Sequence, residues 1–519
     1  MIKVRHILLL LFALSAVYFL AELNYARFNH MAGDSAGYVD LIKRVALHGD
    51  MRSHVFAAAY PLFDLAKEAK TFCSNALINK YENNSFSQWH AYGIVFPIAW
   101  IGKQFTQNYA YIAAILNAIS VVFIFIGVYF IALKNKLSWI ETLFFILIIL
   151  SFSPLVGAIS GQYYFDRLFI PTAIFYCYLY LQRNSRYCWF LAPVIILFAV
   201  LVSERSALMI GLLALYLSVW NTSNNPRYRY TTMIAGVLAV LYYIFWAKFI
   251  QDSIYASSTS LSIIFYNLGQ IFDFKSTMSK LTVEMLLMLL PLIVLTLPSL
   301  KYLILVFIFL APNILLSVGG AEKNGYVTHY HSYYIPLIIV GAMMGYLEYK
   351  KILRMHRFRY FLLAMILAAN IVNISGRLFV SSPTLSHSLS GDFRLLFSGS
   401  DARKAADSRL KQFDQLLSKI NINNPTISSN EFTMPILVQK GYSNIRMFPI
   451  GLYDSDYLLL ESAVEDDPSN LILPIYGDAK ELKEISNCTF FKLKDRYTEV
   501  GVEDIGAIKY RLMRRTNLK

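Results

Sequence analysis

Long apolar runs constrain this chain more than any motif in it. Inside a bilayer every backbone N–H and C=O must be satisfied within the protein, which leaves only helices and closed barrels, and about 20 apolar residues let a helix cross. Eleven runs bounded by charges or turn residues approach that length, at roughly 7–23, 109–133, 138–156, 166–182, 188–203, 206–220, 231–249, 284–299, 302–318, 333–349 and 360–378. They predict an α-helical multi-pass membrane protein with about 11 transmembrane helices. The first run, Ile7–Leu23, follows Lys3, Arg5 and His6 without a convincing small-x-small cleavage site, so it reads as a signal anchor. With 56% apolar residues, 15% charged residues and a mean hydropathy of +0.47, the composition excludes a soluble enzyme, a DNA-binding module and a disulfide-rich secreted domain. Cys73, Cys177, Cys188 and Cys488 include no pair at metal-ligand or redox spacing.

Charge gives the orientation independently. If the N-terminus is cytoplasmic, the cytoplasmic segments hold Lys3, Arg5, Lys134, Lys136, Arg183, Arg186, Arg227, Arg229, Lys301, Lys350, Lys351, Arg354, Arg357 and Arg359, with no Asp or Glu among them. Residues 1–380 carry 29 Lys/Arg against 15 Asp/Glu, whereas 381–519 carry 18 against 18. The net charge of +14 therefore belongs to membrane topology, and no nucleic-acid partner is expected.

Three long segments fall on the outer side: 24–108, the 250–283 loop and everything after about 379. The division expected is a transmembrane domain, 1–380, with the long outer loop 24–108, followed by an extracytoplasmic α/β domain, 381–519. In the outer loop, Tyr38–Leu47 and Phe56–Ala66 read as short amphipathic helices. In the C-terminal domain a helix is expected over Asp401–Ile420, with strands at Thr426–Ser429, Ile445–Pro449, Tyr457–Glu461, Leu471–Ile475, Thr489–Lys494 and Ile508–Met513. Helical segments near Glu431–Lys440 and Asp478–Ile485 separate some of them, and no GxGxxG or GK[ST] loop supports nucleotide binding.

Ionisable residues at the outer ends of membrane helices are the candidates for chemistry, because desolvating them is costly. Asp34, in Gly33-Asp34-Ser35-Ala36-Gly37-Tyr38-Val39-Asp40, suits a general base on an acceptor hydroxyl or a ligand of a divalent metal; a helix cap accounts for it equally well. Glu204 and Arg205 form a charged hinge between two spans, where they either pair and cap or, through the planar guanidinium, hold a lipid phosphate. Asp166 and Arg167 open the fourth span, and snorkelling to the interface is the simpler account of Arg167. Lys323, His329 and His331 lie in an outer loop rich in tyrosine, which fits phosphate or sugar contact, metal ligation or an aromatic belt. His90 sits between Trp89 and Tyr92, in a setting that suits either sugar stacking or an interface. A divalent metal is the one cofactor this pattern leaves open.

Taken together, these segments resemble the GT-C superfamily of polytopic glycosyltransferases, and more narrowly an uncharacterised bacterial membrane-protein family assigned to it. The likeness rests on Asp34–Asp40 after the first span, Phe165–Pro171, Leu201–Leu208, His329–Pro336, and, in the outer domain, Ile427–Glu431 through Phe448-Pro449 and Asp456–Glu461. It departs at Arg205, where another acid or polar residue is expected, and at Asp166, where a His is common. The resemblance implies a polyprenyl-phosphate-linked sugar donor, transfer on the outer face of the bacterial cytoplasmic membrane, and an envelope glycan, lipid or protein as acceptor. By it, Asp34 occupies the place of the catalytic carboxylate and Glu204 that of an acid between two mid-chain spans. The expected reaction is a direct, inverting displacement in which Asp34 deprotonates the acceptor while Arg205, with His331 or Lys323, stabilises the departing lipid phosphate. Rival readings are a transporter or lipid flippase, for which charges near the bilayer midplane are typical, and a non-catalytic envelope assembly protein.

Overall fold

Apolar residues on all sides of a helix require it to be buried, and apolar residues on one side leave it at a surface. The computed structural model describes residues 2–28, 33–51, 91–106, 108–160, 163–220, 225–246, 283–315, 329–353, 355–379, 411–430, 433–448, 451, 454–463, 496–505 and 508–516. Within them the chain is mostly helical, with one small sheet. It divides into two units: Met1–Leu20 with His90–Ile94 and Ile115–Arg394, and Ala21–Trp89 with Val95–Ala114 and Leu395–Lys519. The described residues 24–28, 33–51, 95–106 and 108, assigned by sequence to the membrane domain, thus group with the C-terminal residues.

In the first unit, the Phe169–Leu181 helix is buried on nearly every side, through Phe169, Ile170, Ala173, Ile174, Tyr176 and Cys177. Ile335–Ile352 is buried likewise over its first three turns. Glycine permits the closest helix approaches. A Cβ at Gly345 would collide with the Leu295 carbonyl and one at Gly341 would lie 2.7 Å from Thr296 Cγ2, so a G-x-x-x-G face brings this helix against Val283–Thr296. Gly211 and Gly236 do the same for the Glu204–Val219 and Pro226–Phe245 helices, where a Cβ on Gly211 would sit 2.8 Å from the Gly236 carbonyl oxygen. Surface faces stay apolar: Trp189, Phe190, Val194, Leu197 and Leu201 are exposed on Cys188–Val202, and Ile234, Val237, Leu238 and Leu241 on Pro226–Phe245.

Every expected span overlaps a helix, but eleven full-length spans are not what the described residues present. Two helices, Tyr109–Lys134 and Pro226–Phe245, are long and apolar enough to cross a membrane by themselves. The run at 138–156 is split into Trp139–Leu150 and Ser153–Ser160, since Pro154 has no N–H to continue the first helix. The run at 166–182 starts in a 3-10 turn, Phe165–Leu168, before its helix of 13 residues. The 250–283 loop lies outside the described residues except for Val283, where the next helix begins.

The second unit contains the helix Gly33–His48, which buries Ala36, Val39, Leu41 and Ile42 and packs on Val95–Phe105 and Met434–Gln439. Lys43 Nζ donates to the Gly441 carbonyl (3.0 Å), and the Gln439 and Asn108 amides both donate to the Tyr25 hydroxyl (2.8 Å each). The sheet has five strands, β1 (Thr426–Ser429), β2 (Asn444–Met447), β3 (Tyr457–Ala463), β4 (Tyr497–Ile505) and β5 (Ile508–Arg515), in the order β2-β1-β3-β5-β4. β1 is parallel to β2 and β3; β5 is antiparallel to β3 and β4. The central strand β3 reads as an unbroken apolar run, Tyr457–Leu460, because both of its faces are covered.

Four expected strands coincide with β1, β2, β3 and β5 to within two residues, and the expected helix near 431–440 is Met434–Gln439. β4 was not anticipated, because Glu499, Gly501, Glu503 and Asp504 resemble a loop. It is an edge strand held to β5 by an antiparallel ladder, with complementary charges across the pair: Asp504 stands opposite Lys509, and Glu499 Oε2 lies 3.9 Å from Arg511 Nη1. Residues 411–417 are helical within the expected Asp401–Ile420. Phe56–Ala66, Leu471–Ile475, Asp478–Ile485 and Thr489–Lys494 lie outside the described residues.

Candidate functional site

Three sequence segments read separately as candidates meet in the first unit. The 3-10 turn Phe165–Leu168 carries Asp166 and Arg167 into the protein, the junction Ser203-Glu204-Arg205 joins two helices, and a second 3-10 turn, His329–Ser332, precedes the Ile335–Ile352 helix. Each is a helix end, where backbone groups lack intrahelical partners and polar side chains gather to satisfy them.

Asp166 is the centre. It is 1% exposed, and both carboxylate oxygens are engaged: Oδ1 accepts from the Ser203 hydroxyl (2.7 Å) and the Tyr333 hydroxyl, and Oδ2 accepts from the Tyr92 hydroxyl (3.1 Å). Tyr92 stacks edge-on against Phe165 and Tyr333 against Phe169, which fixes both phenols from behind. One carboxylate therefore ties segments that are 37, 74 and 167 residues away in sequence. Ser203 also caps the following helix, accepting from the Ser206 backbone N–H at 3.1 Å.

Glu204 is not the cap. It is 1% exposed, and its Oε2 accepts from the Ala91 backbone N–H (3.0 Å) while Oε1 lies 3.9 Å from Arg205 Nε. Beside it Ile94 N–H donates to the Leu201 carbonyl at 2.7 Å, so the segment 91–94 is docked on the end of the Cys188–Val202 helix. Arg205 keeps 28% of its side chain exposed, in contrast to Arg167, which is 2% exposed. That burial overturns snorkelling for Arg167: its guanidinium carbon lies 5.5 Å from the centre of the Tyr164 ring, and its own carbonyl accepts from the Ser120 hydroxyl. His331, 1% exposed, bonds through Nδ1 to the Tyr334 hydroxyl at 2.7 Å.

The structure thus brings Asp166, Arg167, Glu204, Arg205 and His331 into contiguous turns. His329 is described only by its backbone, in the same turn as His331, and Asp34 only by its backbone, within the first turn of Gly33–His48 in the second unit. His90 and Lys323 lie outside the described residues. Sequence reading passed over Tyr92, Ser203 and Tyr333 as site residues; their long-range partner is a property of packing, although all three stand in the segments singled out. It also passed over Asp40, which is 2% exposed on the Gly33–His48 helix. Among the described residues no group of three or more His, Cys, Asp or Glu is placed to hold a metal ion. No protein-family model matches the chain, and no curated protein matches it.

Proposed function

We propose that the chain is a multi-pass membrane glycosyltransferase of GT-C type that moves a sugar from a polyprenyl-phosphate-linked donor to an acceptor at the outer face of the cytoplasmic membrane. The observation that carries this reading is the sorting of polar groups along the first unit, under apolar outer faces. At one end of the Phe169–Leu181 helix lie Asp166, Ser203, Glu204, Arg205, Tyr333 and His331. At its other end, about 20 Å away for 13 residues at 1.5 Å each, Lys134 Nζ donates to Gln182 (3.0 Å), Asn225 to the Arg183 carbonyl (3.2 Å) and Lys301 to Tyr180. Four of the turns assigned to the cytoplasm by charge, those holding Lys134, Arg183, Arg227 and Lys301, contribute to that end. Exposed Phe, Leu, Ile and Trp on the outer helices need a lipid surrounding, and the glycine-mediated contacts are of the kind membrane helices use.

In this reading Arg205 meets the leaving phosphate, and the proton-accepting role of Asp34 is carried by the resemblance alone. Asp166, with both oxygens engaged, is a positioning residue that holds the Ser203–Arg205 junction against the Tyr333 segment. His331, buried and bonded to Tyr334, belongs to the same frame.

Two experiments test the proposal. Reporter fusions after Lys134, Arg186, Arg229 and Arg359 are expected to report cytoplasm and one after Lys519 the outer side; a cytoplasmic C-terminus overturns the scheme. For the phosphate contact, Arg205→Lys is expected to weaken donor-lipid binding about tenfold, since an ammonium keeps the charge but not the two-pronged fork. If Arg205 serves only Glu204, Lys replaces it with unchanged affinity and Arg205→Ala chiefly lowers the melting temperature.

A further inference from the structure

At the far end of the Phe169–Leu181 helix, two basic side chains converge on one aromatic ring. Lys301 Nζ lies 4.0 Å from the centre of the Tyr180 ring and donates to its hydroxyl, and the Arg183 guanidinium carbon lies 4.9 Å from the same ring centre. Lys301 also stands in the first turn of the Leu300–Leu315 helix, where the macrodipole is positive and no acidic residue is present. Among the described residues no carboxylate pairs with Lys301, which is half-buried. The Tyr302 hydroxyl, buried and with its ring 5.7 Å from the ammonium, has no hydrogen-bond partner among the described residues.

Two cations on one aromatic ring repel each other, and a desolvated ammonium bonded only to a phenol is costly without a counter-ion. An anion between them removes both penalties, and a helix N-terminus adds its own attraction for phosphate. The rim indicates the source of that anion. Leu297, Leu300, Val219 and Trp220 are all exposed beside the cluster, with the Trp220 carbonyl accepting from the Tyr180 hydroxyl (3.1 Å). Apolar side chains around a cationic niche suit a phosphate that arrives with acyl chains attached.

We infer that Lys301, Arg183 and the first turn of the Leu300–Leu315 helix bind the phosphate of an anionic membrane lipid, at the end of the helix bundle opposite Asp166. This site rests on the membrane reading of the chain but not on the transfer chemistry. Its role is to neutralise the Lys301–Tyr180–Arg183 cluster and to anchor that end of the bundle in an anionic leaflet.

The test uses the purified full chain in phosphatidylcholine nanodiscs doped with phosphatidylglycerol, with bound lipid counted by native mass spectrometry. Wild type is expected to retain phosphatidylglycerol about tenfold above its share of the bilayer, Lys301→Arg to keep that enrichment, and Lys301→Met to lose it. The Met variant removes a half-buried charge, so in pure phosphatidylcholine it is expected to melt no lower than wild type, which separates lost binding from misfolding. Equal retention by wild type and Lys301→Met overturns the site. So does stabilisation by inorganic phosphate in pure phosphatidylcholine that matches the effect of phosphatidylglycerol, since a soluble anion is then the occupant. A chain that does not insert into nanodiscs overturns the membrane reading itself.

Discussion

Asp34→Asn is expected to lower sugar transfer from a polyprenyl-phosphate donor by about 10²–10⁴-fold, the usual range for general-base help, while the protein remains folded in the membrane. The substitution keeps the shape of the side chain and removes its ability to accept a proton. Because Asp34 stands within the first turn of Gly33–His48, its charge also interacts with the positive end of that helix, an interaction worth about 0.3–1 kcal/mol. Loss of that term is small beside the burial of Ala36, Val39, Leu41 and Ile42 on the same helix. A purely local role therefore predicts a slightly lower melting temperature with activity nearly intact. Transfer at close to the wild-type rate in Asp34→Asn removes this residue from the chemistry. Loss of folding and activity together assigns it to stability.

The largest stability effect is expected at Asp166. Replacing it with Leu leaves the hydroxyls of Ser203, Tyr92 and Tyr333 buried without their acceptor, and such groups cost about 1–3 kcal/mol each, so a loss of about 3–5 kcal/mol is expected. Asp166→Asn retains one carbonyl oxygen and is expected to lose less, about 1–2 kcal/mol. Unfolding of both variants in the same detergent measures the difference. A Leu variant within 1 kcal/mol of wild type shows that the three hydroxyls find other partners, and the positioning role for Asp166 fails.

These expectations divide along the line between local and long-range information. Thr426–Ser429 and Tyr457–Leu460 were legible as strands because β-branched and apolar residues between turn residues already specify a strand that is covered on both faces. β4 was not, since its acidic residues acquire meaning only across from β5, where Asp504 faces Lys509 and Glu499 reaches Arg511. Helix breaks were half legible. Pro154 marks the split after Leu150, but the 3-10 turn at Phe165–Leu168 is fixed by Asp166 and Arg167 being drawn inward, against the preference of charged residues for a surface.

The sequence by itself determined that most of the chain is apolar helix, that its basic turns alternate with neutral or acidic ones, and that the last hundred residues include a small sheet. Those properties follow from hydropathy, periodicity and turn residues, which are written locally. Only the tertiary structure decided that Asp166 is shared by Tyr92, Ser203 and Tyr333, that Arg167 is buried while Arg205 is not, and that Lys301 and Arg183 face one tyrosine. A carboxylate's partners are chosen by which helix ends come together, and close glycine contacts such as Gly345 on Leu295 set that choice through the geometry of packed helices.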